Sequence, residues 1–390
     1  MKYLGIKEKV LEGINNSDFD AIVINGPDNV HFLGGIFLPF SNSRRGQKII
    51  IFWPKEDDPV LICPAEWESS IRNSTWINQI LPYDASSDRM EGIVHILRGE
   101  INNLTVKAPK IGIDKGKISH NLFSILADTI IPAEWDSCDE WISQLRMVKT
   151  VQELEHLERI ALDTDHGING AIHHVTIDRY QTALTLAEEI RVHTTERELD
   201  LVGYHATSHV AAGIDTKRIW PMPPVFGYSR TRAFKEGDLV RMRMQACRDG
   251  YWSDATRIMT AGEPTSAQNE IYQQWMAVRN WIVEGLRPGL AINEIFKSAL
   301  KNADNAGIPV LSDIPFGHGV GVTPEEPPFI SDSDETILLP NMILVVCPII
   351  KANDGTYFWM KDTIVITDSG CRTVGWYKDW REPYIPIASI

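Results

Sequence analysis

Residues 238–262 of the chain, DLVRMRMQACRDGYWSDATRIMTAG, are the stretch that decides the fold. Two runs rich in apolar residues flank the pair Asp249 and Gly250, and this pattern predicts two antiparallel strands joined as a hairpin. Several charged residues interrupt these strands, among them Arg243 and Asp254. Charged side chains at such positions need partners, so the hairpin is also the first candidate for a functional site.

The overall composition limits the class of protein. A chain of 390 residues is too long for one ordinary hydrophobic core, so two domains are expected. A net charge of −14 argues against nucleic acid and anionic membranes as partners. The five cysteines form no CxxC pair, and no apolar run is long enough to cross a membrane. We therefore predict a cytoplasmic protein with reduced thiols and no cofactor.

The pattern of apolar runs divides the chain into two parts. Residues 1–140 alternate short apolar runs with helical patterns, and they predict a smaller α/β domain. Its predicted strands include DAIVING, QKIIIFWP, PVLICP, KIGIDKG and TIIPAEW. Residues 141–390 contain two helix pairs and several strands in a pattern that predicts an α+β domain, a curved antiparallel sheet covered by the helices.

Several further motifs in the same order carry a family resemblance. They are GHGVGV (317–322), LLPNMILVVCP (338–348) and KDTIVITDSG (361–370), with FDAIVINGPDNVHFLGGI (19–36) near the start. Together with the hairpin they resemble the pita-bread superfamily of methionine aminopeptidase, prolidase and creatinase. The resemblance covers nearly the whole chain. It implies a C-terminal pita-bread fold preceded by an N-terminal domain of the creatinase and prolidase type.

The resemblance also places the metal ligands of that superfamily, which are two Asp, one His and two Glu. Asp254 and His318 match two of these positions. The other three positions hold Arg243, Cys347 and Lys361. With a neutral thiol and imidazole, the set carries a formal charge of +1, so we expect it to bind no metal. Arg243 would then replace the metal charge or hold an anionic ligand.

Four residues are candidates for catalysis, each with a simpler alternative. Cys347 beside an imidazole and two cations would have a lowered pKa and act as a nucleophile, or it is a small apolar filler. His318 faces the pocket, or it is a structural turn residue. Asp254 orients that imidazole, or it only pairs with Arg243. Glu325 is a general acid or base if its pKa is raised, or it is a solvated loop charge.

Six residues are candidates for substrate binding. Arg243 and Lys361 would hold a carboxylate, and Trp220 would pack on an apolar or planar part of the ligand or belong to the core. Arg45, with Arg44 as the next candidate, resembles the creatinase arginine that enters the neighbouring subunit's pocket, which implies a homodimer; the alternative is two exposed loop arginines. The remaining candidates are Glu326 and Tyr251. His205 and His209 are weaker candidates.

These expectations combine into one function with alternatives. We predict a metal-independent, creatinase-like hydrolase or lyase that cleaves a non-peptide bond, C–N in the first instance, in a small carboxylate-bearing molecule. The alternatives are a non-catalytic pita-bread binding protein and, ranked lower, a metal-dependent Xaa-Pro peptidase.

Overall fold

The computed structural model describes residues 4–37, 48–85, 89–175, 182–195, 207–219, 233–375 and 385–387. The chain forms two compact units. One comprises Met1–Arg146 with Thr150–Glu153, and the other comprises Met147–Lys149 with Leu154–Ile390. Each unit has its own cluster of buried apolar side chains.

The first unit is built on a six-stranded mixed sheet with the order β4-β3-β2-β1-β5-β6. Strands β1, β2 and β3 are buried along their whole length, as their continuous apolar runs predict. The strands are β1 (Ala21–Ile24), β2 (Ile50–Pro54), β3 (Val60–Pro64), β4 (Gln79–Tyr83), β5 (Lys110–Ile113) and β6 (Glu134–Ser137). The helices are α1 (Ile6–Asn15), α2 (Pro27–Gly34), α3 (Glu68–Arg72), α4 (Arg89–Asn102), α5 (His120–Thr129) and α6 (Asp139–Met147).

One predicted strand of this unit is largely wrong. The sequence predicts a strand over TIIPAEW, residues 129–135, but β6 begins only at Glu134. Helix α5 extends to Thr129, and Pro132 has no N–H to donate to a sheet ladder. The strand therefore starts after the proline.

The second unit contains a four-stranded sheet, β17-β9-β8-β7, and a five-stranded sheet, β11-β10-β12-β15-β16. The helices are α7 (Val151–Val175), α8 (Ala183–Thr195), α9 (Ser266–Gly285) and α10 (Ile292–Asn305). Strands β7 to β12 are Thr207–Ala212, Leu239–Arg248, Tyr251–Ala261, Gly317–Gly319, Glu326–Phe329 and Ile343–Val346. Strands β13 to β17 are Ile350–Lys351, Tyr357–Phe358, Asp362–Ile366, Cys371–Val374 and Ile385–Ile387.

The hairpin β8–β9 is the longest strand pair in this sheet, and it is the one predicted from residues 238–262. Its two-residue turn consists of Asp249 and Gly250, whose φ angles are +50° and +80°. Turns of this mirror-image type match the twist of antiparallel strands. Arg243 pairs with Thr256, and Gln245 pairs with Asp254. Because side chains alternate along a strand, these four project from one face of the hairpin.

The four-stranded and five-stranded sheets meet beside this face. Thr256 of β9 forms a bridge with Lys361, and the Lys361 N–H donates to the Thr256 carbonyl oxygen over 3.2 Å. Lys361 immediately precedes β15, which pairs with β12, and β12 pairs with β10. The bridge therefore joins the hairpin to the sheet whose strand β10 carries His318.

Strand β10 is the Gly-His-Gly sequence, and its two glycines are required by packing. A Cβ on Gly317 would collide with the Val345 carbonyl oxygen, and one on Gly319 would collide with the Pro327 carbonyl oxygen. The neighbouring strands β12 and β11 thus lie too close to β10 for larger residues. Only the side chain of His318 projects from this strand.

Helix α7 is attached to the hairpin by buried ion pairs. Arg257 of β9 donates two hydrogen bonds to Asp165, at 2.7 and 2.9 Å, and Arg248 donates one to Asp163. A single Arg–carboxylate fork fixes both position and orientation. These contacts hold the helix against the face of the hairpin opposite to Asp254. Among the described helices, none combines the length and apolar character needed to cross a membrane.

Candidate functional site

The floor of the candidate site is the carboxylate of Asp254, which is completely buried. Arg243 donates to it from Nε at 2.9 Å and from Nη2 at 2.5 Å. Lys361 Nζ donates to Oδ2 at 2.7 Å, and Gln245 Nε2 donates to the same oxygen at 3.2 Å. Arg243 on the hairpin and Lys361 just before β15, both predicted from the sequence as site residues, therefore meet at the Asp254 carboxylate.

Lys361 lies between Asp254 and His318. Its ammonium is 2.9 Å from His318 Nε2, whereas His318 Nε2 is 3.9 Å from Asp254 Oδ2. An ammonium can only donate, so Nε2 accepts, and Nδ1 carries the proton that it donates to the Gly319 carbonyl oxygen at 2.9 Å. His318 is thus held as a neutral imidazole. The expectation that Asp254 orients this ring directly is wrong, because Lys361 separates the two.

Glu325 completes the charge of the site. Its Oε1 accepts a hydrogen bond from Arg243 Nη2 at 2.7 Å and lies 3.5 Å from Lys361 Nζ. Two carboxylates, Asp254 and Glu325, face two cations, and with a neutral imidazole the cluster has a formal charge of zero. The sequence-based sum of +1 is therefore wrong because it left out Glu325.

The burial and charges of the cluster shift the pKa values of Asp254, Glu325 and His318. Burial raises the pKa of Asp254, but the charges of Arg243 and Lys361 outweigh burial and hold it well below its usual range. Burial raises the pKa of Glu325 as well, but the positive groups around it, Lys361 first among them, together lower it. Burial and the Lys361 ammonium together lower the pKa of His318 to about 4. At neutral pH both acids are ionised and the imidazole is uncharged.

Cys347 does not have the lowered pKa that a nucleophile would need. The residue follows β12 and is buried, and its backbone N–H donates to the Phe316 carbonyl oxygen. Burial raises the pKa of its thiol, and the nearby Lys361 charge does not overcome this effect. The thiol is therefore protonated at neutral pH, and the alternative of a small buried filler fits the structure better.

Two predicted substrate-binding residues lie away from the cluster. The carboxylate of Glu326 is buried against Lys149 Nζ at 2.9 Å and accepts a hydrogen bond from the Thr323 hydroxyl, so it has no free face for a ligand. Tyr251 is buried on the other face of the hairpin, where its ring contacts the ring of His156 edge to face. Alternation along β9 places Tyr251 and Asp254 on opposite faces.

Three sequence-predicted residues cannot be placed in the site. Trp220, Arg45 and His205 lie outside the described residues. Arg243, Lys361, Asp254, His318 and Glu325 are the predicted residues that the structure brings together.

His209 is only a weaker candidate for the site on the evidence of the sequence. It pairs with Arg243 across β7 and β8, so its side chain shares the face of the cluster. Its Nδ1 is buried without a hydrogen-bond partner among the described residues, and burial followed by the Arg243 charge lowers its pKa. The alternation along β8 and β9 could have identified Gln245 and Thr256. His209 requires the register of a third strand, which the sequence does not provide.

Two family models match the chain over adjacent segments. Residues 157–368 match metallopeptidase family M24, and residues 7–148 match the creatinase/prolidase N-terminal domain. The first match spans more than half of the chain and contains every residue of the cluster.

Individual relatives match at low identity over nearly the full length. An Xaa-Pro dipeptidase of Pyrococcus furiosus is 25% identical over 369 residues, 94% of this chain and 96% of its own. A solved X-Pro aminopeptidase of Thermotoga maritima superposes with a TM-score of 0.79 at 18% identity, covering 98% of both chains. A prolidase of Pyrococcus horikoshii gives 0.77 at 21% identity, over 95% of this chain and 97% of its own. At these identities the structural likeness establishes the fold, and the expected pita-bread architecture with its preceding N-terminal domain is confirmed.

Proposed function

The chain belongs to metallopeptidase family M24 and carries a creatinase/prolidase N-terminal domain, and from this premise we propose that it hydrolyses short peptides of the Xaa-Pro class. The family places it among hydrolases of the Xaa-Pro peptidase and creatinase group. The observation that carries the proposal is the pair of buried cations, Arg243 and Lys361, behind the partly exposed Glu325 carboxylate.

The sequence-based function is wrong and is replaced. It assigned a metal-independent, creatinase-like hydrolase or lyase acting on a non-peptide bond. Relatives that align over nearly the whole chain include Xaa-Pro dipeptidases from Pyrococcus and Lactobacillus species. A peptide bond, rather than a creatine-like C–N bond, is accordingly the bond we assign to this chain.

The residues of the cluster do not fit the divalent metal that the family name implies. Ligand atoms of Asp254, His318 and Glu325 lie within 4.8 Å of one another, a spacing that a metal ion could use. However, Lys361 already occupies the His318 lone pair and one Asp254 oxygen. A dication about 4 Å from Arg243 and Lys361 would meet repulsion of about 4 kcal/mol per pair of unit charges at an effective dielectric of 20. We therefore route no step of the reaction through a metal.

The charges of the cluster suit a peptide with a free carboxyl group. The outer edge of the Arg243 guanidinium, on the side away from Asp254, binds the substrate carboxylate, and Lys361 faces the carbonyl oxygen of the scissile bond. Glu325 takes a proton from water, and the resulting hydroxide adds to the carbonyl carbon. Lys361 stabilises the negative charge that develops on oxygen. Glu325 then returns the proton to the amine nitrogen as the C–N bond breaks.

A peptide assay tests the proposal directly. The protein, with its metal content determined by elemental analysis before and after chelator treatment, is incubated with Ala-Pro and with Ala-prolinamide, and proline or prolinamide release is followed by mass spectrometry. We expect Ala-Pro to be cleaved in preference to the amide. Glu325→Gln should lower kcat by about 10²- to 10⁴-fold, the usual contribution of a general base. The proposal is contradicted if chelator treatment removes a tightly held metal and abolishes cleavage. It is also contradicted if the protein cleaves no Xaa-Pro peptide.

A second candidate function is short-peptide binding without hydrolysis. It is favoured by the complete pairing of the two cations with Asp254 and Glu325, and by the protonated thiol of Cys347. Binding of Ala-Pro by calorimetry without release of proline selects this candidate over the first.

The proposal also includes an assembly and a location. We infer a homodimer from the resemblance of Arg45 to the creatinase loop arginine. A cytoplasmic location is supported by five free cysteines, four of which are buried.

A further inference from the structure

Glu325 is the exposed member of an otherwise buried ion cluster. Its side chain is 43% exposed, whereas Arg243 is 9%, Lys361 is 2% and Asp254 is 0% exposed. Its contacts are to Arg243 Nη2 at 2.7 Å and to Lys361 Nζ at 3.5 Å. Glu325 is thus the member of the cluster that can leave without exposing the others.

Removing Glu325 would leave one positive charge uncompensated. Arg243 and Lys361 carry two charges, and Asp254 balances only one of them. Uncompensated buried charges are costly, so the position that Glu325 fills should attract another carboxylate. A guanidinium edge that already binds a carboxylate is suited to bind one from a ligand.

We infer that the outer edge of Arg243 is a carboxylate-binding site, that Glu325 occupies it as a built-in competitor, and that a ligand carboxylate binds by displacing Glu325. The inference rests on the proposed function only for the identity of the ligand as a peptide. For a zwitterionic dipeptide the exchange leaves the total charge unchanged. The carboxylate replaces Glu325 on Arg243, and the released Glu325 becomes available to the rest of the peptide.

The backbone around Glu325 is fixed, so the exchange needs only a side-chain rotation. The next residue, Glu326, is held by Lys149 and by the hydroxyl of Thr323. The Thr323 hydroxyl also lies 3.1 Å from the carbonyl oxygen of Glu325. The turn therefore stays in place while the Glu325 carboxylate moves into solvent.

His209 provides a second, independent sign that a ligand atom belongs beside Arg243. It is the cross-strand neighbour of Arg243, and its buried Nδ1 has no hydrogen-bond partner in the part of the chain that the structure describes. Buried polar atoms are nearly always paired in the functional state. A ligand carboxylate or amide on Arg243 would lie within the reach of this ring.

Chemical rescue by acetate tests the exchange. Wild type, Glu325→Ala, Glu325→Gln and the exposed-residue control Glu335→Ala are compared in acetate, in acetamide and in chloride at equal ionic strength. We expect both Glu325 variants to melt below wild type in chloride and to regain stability in acetate but not in acetamide. Their apparent affinity for acetate should exceed that of wild type on the order of tenfold, because the competing side chain is gone. Glu335→Ala should behave as wild type.

The same measurement on Arg243→Met combined with Glu325→Ala identifies the site, since the acetate response should disappear. The inference is overturned if acetate affects all four proteins equally, or if the Glu325 variants are as stable as wild type and bind acetate no better. Neither outcome depends on peptide cleavage. Failure of the proposed hydrolysis would leave the acetate result unchanged, and failure of acetate rescue would leave peptide cleavage to be judged by its own assay.

Discussion

His318 is the residue at which the buried charges of the cluster have the most direct measurable effect. Burial and the Lys361 ammonium lower the pKa of His318 to about 4, compared with about 6.5 for an unperturbed histidine. The folded state therefore binds fewer protons than the unfolded state between these values. The contribution of His318 to stability is complete above about pH 6.5 and is lost as the pH falls toward 4.

A titration of the imidazole by nuclear magnetic resonance checks this prediction. We expect the His318 resonance, assigned with a His318→Gln variant, to titrate near pH 4 in wild type. Lys361→Met should move its pKa upward, because the variant removes a neighbouring positive charge and a donor to Nε2. Titration of His318 near pH 6.5 in wild type would show that the ring is not buried against Lys361.

At this scale the sequence predicts which residues meet but not how their charges add up. The resemblance of the Gly-His-Gly motif and the hairpin to the superfamily's metal-binding motifs locates His318, Arg243 and Asp254 in one pocket. The role of Glu325 depends on a distance of 2.7 Å between side chains 82 positions apart in the chain, which no local pattern encodes. The sequence also predicts the wrong direction for the shift in the Cys347 pKa, because burial raises this pKa more than the nearby Lys361 charge lowers it.

The buried ion pair between Lys149 and Glu326 links two elements of the second unit. Lys149 precedes α7, and its N–H donates to the Asn341 carbonyl oxygen, while Glu326 begins β11. The side chains are 2% and 4% exposed and 2.9 Å apart. Removing one partner leaves an unpaired buried charge, so Lys149→Met and Glu326→Gln should each lower the free energy of unfolding by about 3–5 kcal/mol.

Urea unfolding of the two single variants and the double variant measures this effect. The double variant should lose less stability than the sum of the single losses, because neither charge is then left alone. Lys297→Met, which breaks the exposed pair with Asp332, is the matched control and should change stability little. Additive losses in the double variant would mean that Lys149 and Glu326 do not interact.

Elements were predictable where one signal dominated. The Asp-Gly turn and two long apolar strands determine the hairpin β8–β9 without help from the rest of the chain. The segment 129–135 carries conflicting signals, since its apolar residues favour a strand while α5 and Pro132 occupy the space and remove a donor. The strand that contains Tyr251 is predicted correctly, but the predicted binding role of this residue is wrong. Tyr251 lies on the face of the sheet that packs against α7, away from Asp254.

For the whole molecule, the resemblance of Arg45 predicts shared active sites in a homodimer. Arg45 lies outside the described residues, so the test must come from solution. We expect the purified protein to have the mass of a dimer by light scattering at micromolar concentration. Co-expressed Arg45→Ala and Glu325→Gln chains should recover about a quarter of wild-type activity, because half of the dimers are mixed and each mixed dimer has one intact site. A monomer with full activity would rule out sharing.

The Arg243–Asp254–Lys361 arrangement also limits the routes by which this sequence can change. The cluster has two negative and two positive charges, so Arg243→Asp alone would give three negatives and one positive, a buried charge of −2. Lys361→Glu alone gives the same sum. Each single step toward an all-carboxylate pocket thus passes through a strongly destabilised protein, and the paired substitution would give a charge of −4, so only a change that coincides with capture of cations avoids this cost. Arg243 and Lys361 should therefore persist among descendants of this chain unless a cation is captured at the same time.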